Sequence, residues 1–120
     1  MDKSISFENS TVTIDDQSWD AGKPIVDAIL RNGVVLLIFD YMQYPENKVA
    51  RNLEGFTETG EQLWVAENPT DTPNEAYTEF LPDDDMQAGE IDTVTVGDLA
   101  GFSCSIDITN GKLINVVYRD

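Results

Sequence analysis

The chain has 120 residues, with seven Lys and Arg against 23 Asp and Glu, a formal charge of −16, no histidine and one cysteine. Without histidine there is no Ser-His-Asp or Cys-His nucleophilic centre and no His-based zinc site, and the lone Cys104 makes neither an intrachain disulfide nor a Cys-rich zinc site. The charge repels nucleic-acid phosphates and anionic membrane surfaces, so the expected partner is a basic protein, with no nucleic acid and no membrane.

The length suits one domain, residues 1–120, and an apolar content of 41% is enough for a core. Met1 to Phe7 contains no apolar signal-peptide region, and the longest apolar run, Val34 to Phe39, has six residues where a membrane helix needs about 20. A cytoplasmic location is the expectation. Solubility or a salty habitat would also produce such a surface, since aspartates outnumber glutamates and lysines are few.

The chain opens on a hairpin. Ile5 and Phe7 alternate with polar residues, Asn9-Ser10 marks a turn, and Thr11-Val12-Thr13-Ile14 alternates again up to Asp15-Asp16. Trp19 follows in a polar loop, where it reads as a lid on the end of the core. In Pro24 to Arg31, helix and strand compete. Ile25, Val26, Ile29 and Leu30 have helical spacing, yet Asn32-Gly33 is the preferred two-residue hairpin turn. Strand-turn-strand over 25–40 is preferred. The run Val34 to Phe39 is then a strand covered on both faces.

Residues 42–51 form a loop punctuated by Pro45 and Asn47. A second hairpin joins Asn52–Phe56 to Gln62–Ala66. From Glu67 to Gly89 the chain is irregular, with Tyr77–Phe80 as a short strand and Leu81-Pro82-Asp83-Asp84-Asp85 as an exposed acidic loop. Ile91 to Val96 is a strand, with Gly97-Asp98 as a turn. Phe102, Cys104, Ile106 and Ile108 share one face of the next strand, Thr109 to Lys112 turns, and Leu113 to Arg119 closes the fold.

Hairpins 53–66 and 104–117 share a grammar of strand, polar turn with Gly, polar residue and apolar strand. They look like the blade hairpins of quinoprotein-type β-propellers, although 120 residues are too few for a closed propeller. The elements Arg51 to Phe56, Gly60 to Pro69, Gly101 to Asp107 and Asn110-Gly111-Lys112 resemble small uncharacterised bacterial all-β proteins over about residues 24–119. The resemblance implies a bacterial, all-β, cytosolic protein and no particular reaction.

The chemical candidates are few. Asp83-Asp84-Asp85 with Glu90 and Asp92 lacks the spaced ligands and turn glycine of a calcium loop, so no metal is expected there. Cys104 lies on an apolar strand face and reads as a core thiol. No phosphate-cradling glycine loop exists, and no cofactor is expected. The exposed aromatics Tyr41, Tyr44, Trp64, Tyr77 and Phe80 flank loops and could anchor a partner, with Trp64 read as core.

The expected fold is an all-β antiparallel meander of about 7–9 strands, in a bent sheet or open barrel, with one long acidic loop between residues 67 and 90. The expected function is that of a non-catalytic acidic interaction module of the immunity or inhibitor type, binding a basic protein through Asp83, Asp84, Asp85, Glu79, Tyr77 and Glu90. The alternatives are a DNA-mimic inhibitor and a salt-adapted β protein with a carboxylate-lined ligand cleft.

Overall fold

Short alternating segments separated by turn residues can bury their apolar faces only by stacking sheets, and this chain stacks three. The computed structural model describes residues 4–70, 72, 75–81 and 92–118. Among the described residues, eleven strands run as β1 (Ile5–Glu8), β2 (Thr11–Ile14), β3 (Gln17–Asp20), β4 (Ile25–Arg31), β5 (Val34–Phe39), β6 (Leu53–Phe56), β7 (Gln62–Val65), β8 (Tyr77–Phe80), β9 (Thr93–Asp98), β10 (Phe102–Asp107) and β11 (Leu113–Tyr118). They form three antiparallel meanders, β1-β2-β3, β4-β5-β6-β7 and β8-β9-β10-β11. β4 packs against both β1 and β8, so the sheets fan out side by side like propeller blades.

The single meander of about 7–9 strands is therefore corrected, among the described residues, to eleven strands in three sheets that do not close into a barrel. The number of sheets is set after β3 and after β7, since β3 is not paired with β4, nor β7 with β8. Residues 25–31 form a strand, and Asn32-Gly33 turns with positive φ at both positions (52° and 81°), as a type I′ hairpin requires. Two further corrections concern ends. Residues 17–20, read as a loop, form β3. Gly97-Asp98, read as a turn, ends β9, and the chain reverses at 99–101 instead.

The core consists of two layers between sheets. Val12, Ile14, Ile25, Val35, Leu37, Phe39 and Phe56 fill the layer between the first and second sheets. Leu36, Ile38, Leu53, Trp64, Ala66, Tyr77, Val94, Val96, Cys104, Ile106 and Ile108 fill the layer between the second and third. Successive strand residues point to opposite faces, so β5 serves both layers, which is why it is apolar throughout. By the same alternation polar residues line part of the outward faces of the end sheets, while β11 leaves Ile114, Val117 and Tyr118 exposed. Ser6, Thr13 and Ser18 pair across the first sheet, and Thr95, Ser105 and Asn115 across the third. Polar outer faces let a stack of repeats end in water.

Tryptophans tie neighbouring sheets together. Trp19 on β3 donates from Nε1 to Glu58 O (2.9 Å), and its ring lies on Gly60, where a Cβ would come within 2.8 Å. Trp64 on β7 donates to Ile108 O (2.9 Å), and its ring is pressed between Gly55 and Gly111, where Cβ atoms would approach to 2.4 and 2.5 Å. Each indole thus crosses from the outer strand of one sheet to the outer turn of the next. Both turn glycines have positive φ (96° and 77°), so glycine is needed there for conformation as well as for space.

Candidate functional site

Hairpin turns from two sheets bring acidic residues together at one end of the fan. The β2–β3 turn, Asp15-Asp16, and Glu58 of the β6–β7 turn line a depression of about 150 Å³ with Ile14 and Gln17. Asp15 adopts positive φ (55°), which an aspartate tolerates, and its carboxylate accepts from Ser4 N (3.2 Å). Glu58 is positioned through its own backbone, whose carbonyl holds the Trp19 indole. Its carboxylate also approaches the Asn32-Gly33 turn, lying 4.0 Å from where a Gly33 Cβ would sit. Asn32 Nδ2 in turn donates to Asp92 Oδ1 (2.8 Å). Carboxylates of all three sheets therefore stand along one end. Arg31, at the same end, donates to the Thr93 carbonyl (2.7 Å).

The opposite end is different in chemistry. Tyr41, Met42, Tyr44, Pro45, Glu46, Lys48 and Ala50 line a cavity of about 240 Å³. Nearby, Lys23 Nζ lies 3.4 Å from the buried Glu54 carboxylate and over the Phe39 and Tyr44 rings, at 4.8 and 5.7 Å. Gln62 Nε2 donates to Glu54 at 2.7 Å. Glu54 is thus a satisfied structural charge. Burial, with the Glu54 charge adding to it, raises the Tyr44 phenol above its ordinary pKa and keeps it neutral.

The expected partner residues separate. Tyr77 is completely buried between the second and third sheets, and its hydroxyl donates to the Glu67 carbonyl, so it presents no surface to a partner. That corrects its reading as a surface anchor. The error came from polar neighbours, for β8 is a strand with only one face turned inward. Glu79 is exposed on β8, opposite Gly97. Asp83, Asp84, Asp85 and Glu90 lie outside the described residues, as does most of the acidic loop. The structure brings together a set that sequence reasoning did not group, namely Asp15, Asp16 and Glu58. A usable signal was present. Asp15 stands four residues before Trp19, and Gly60 four before Trp64, which marks the two turns as equivalent.

Among the described residues, no three Asp, Glu or Cys side chains converge as metal ligands, and no helix is long and apolar enough to cross a membrane. Cys104 is buried. The carboxylates at the hairpin end can attract and orient a cationic group.

No curated protein matches the chain. Among solved structures, it is similar to BamB from Moraxella catarrhalis, of propeller type, at 17% identity and a TM-score of 0.58. That match covers 97% of this chain and 32% of BamB, so the chain spans about a third of that protein's length, and the likeness concerns fold alone. It also matches the computationally designed Ika8 protein at 13% identity and a TM-score of 0.44, over 97% of this chain and 48% of that one. A family profile matches residues 2–118, and the chain belongs to that family, described as a domain of unknown function (DUF7957).

Proposed function

We propose that this protein is a non-catalytic interaction module that presents its acidic hairpin end to a basic surface on a partner protein. The observation that carries this reading is the convergence of Asp15, Asp16 and Glu58 from two sheets around one depression. A net charge of −16 supports it, because a summed field of one sign speeds the encounter with a cationic partner. An immunity or inhibitor role is the specific form of this reading, in which the acidic end covers a basic site. A cytoplasmic setting accords with a fold that holds without disulfides.

Binding of a fluorescent oligolysine peptide, measured across ionic strengths, tests the proposal. The wild type should bind at low salt and weaken steeply towards 0.5 M, where screening shortens to a few ångströms. The D16N/E58Q variant should bind several-fold more weakly at low salt and show a shallower salt slope. Equal affinity of the two proteins would exclude the hairpin end as the binding surface.

A further inference from the structure

The layer between the second and third sheets contains two carboxyl groups almost sealed from water, Glu75 (5% exposed) just before β8 and Asp98 (3%) at the end of β9. Thr70 Oγ1 donates to Glu75 Oε2 at 3.4 Å, the remaining Glu75 oxygen is buried, and the Tyr77–Asp98 pairing with the Leu99 N to Ala76 O hydrogen bond sets the two residues side by side. Asp98 Oδ1 accepts from Phe102 N at 2.7 Å and so closes the 99–101 turn. Two buried carboxylates in contact cannot both ionise without a large electrostatic cost.

We propose that Glu75 and Asp98 share one proton, carried on Glu75 and donated to Asp98, and that this shared proton is a pH-dependent clasp holding the segment before β8 to the end of β9, beside the seam with the second sheet. The backbone around the pair shows what the clasp secures. Ala50 N donates to Glu75 O (2.8 Å), Leu99 N to Ala76 O (3.0 Å), and Tyr77 N to Asn52 Oδ1 (3.0 Å). Asn52 Nδ2 returns hydrogen bonds of 2.8 Å to the carbonyls of Phe39 and Tyr77. The connection at 44–52, the segment before β8 and the 99–101 turn therefore meet at the pair.

The neighbouring ionisable groups favour a neutral Glu75. Among the described residues, β8 contributes Tyr77 and β10 contributes Cys104, both fully buried. Thr70, in the stretch after β7, donates to Glu75 and pulls the other way, and the Glu67 carboxylate is engaged by Leu113 N. Lys48 and Arg51 on the 44–52 connection are exposed to solvent. Burial, then the hydrogen bond and charge of Asp98, push Glu75 up to about 7 from the ordinary 4.5. A carboxyl whose folded-state pKa is raised contributes stability below its unfolded pKa and loses it as pH rises through the folded value. The clasp should therefore be closed at pH 4.5 and open above about 7.

Urea unfolding of the wild type and E75Q between pH 5 and 8.5 tests this. Glutamine keeps a donor towards Asp98 and cannot ionise. E75Q should match the wild type at pH 5 and exceed it at pH 8.5, by on the order of a hundredfold in the unfolding equilibrium constant, since each pKa unit is worth a factor of ten. E46Q, which removes one exposed charge, controls for the overall acidity and should track the wild type. Carbon-detected NMR of the wild type should show one Glu carboxyl titrating near neutrality, whether or not E75Q folds. Parallel stability curves for E75Q and wild type, or no such carboxyl, would overturn the proposal. So would calcium at millimolar concentration restoring wild-type stability at pH 8.5 but not acting on E75Q, because the pair would then be a cation site.

Discussion

The junction between the first and second sheets and that between the second and third follow one plan at different depths. In each, a tryptophan four residues after a positive-φ turn residue leaves its outer strand, rests on the turn glycine of the next sheet and donates to a carbonyl there. Trp64 is 8% exposed and enclosed by glycine on both sides, whereas Trp19 is half-buried and meets one glycine and the Phe56 ring, 5.3 Å away. In the third sheet the equivalent position, four residues after Gly111, is the exposed Asn115. The inner junction also holds the buried Asn52 and the Glu75–Asp98 pair, while the outer one is shallower and carries the acidic depression. The comparison teaches that the proposed binding end is built on the weaker of the two seams.

Substitutions of the latch residues can break that comparison. W64A removes a buried indole whose hydrogen bond reaches across sheets, and should cost about 3–5 kcal/mol in urea unfolding. W19A should cost less, about 1–2 kcal/mol, because part of its ring is already in water. It should also weaken oligolysine binding, since the indole fixes the Glu58 backbone beside Asp15 and Asp16. N115A should change stability by no more than about 0.5 kcal/mol, as an exposed side chain. Equal costs for W64A and W19A would remove the distinction between the seams.

The hairpins were legible because each carries its own signal. Alternation at Thr11–Ile14, positive-φ turn residues at Asn32-Gly33, and the unbroken apolar run of β5 each report local backbone or local burial. β3 was not legible, because Gln17, Ser18 and Asp20 are exposed and Trp19 alone turns inward. The division into three sheets was hidden because it depends on where pairing stops, and that is decided by contacts between residues far apart in the chain. The same holds for the two carboxylate sets. Asp16 and Glu58 meet only after the sheets have stacked, and Glu75 and Asp98 only after β8 has paired with β9. Tyr77 illustrates the reverse error, an aromatic among polar neighbours whose single inward face places it in the core.

What most directly tests the account is whether binding depends on where the charge lies or on how much there is. D16N/E58Q and E8Q/E46Q each remove two carboxylates, the first pair at the hairpin depression and the second away from it. Oligolysine titration at low salt should show D16N/E58Q losing several-fold in affinity while E8Q/E46Q stays within about twofold of the wild type. Equal losses in the two variants would contradict the account, because the acidity would then act only through its total.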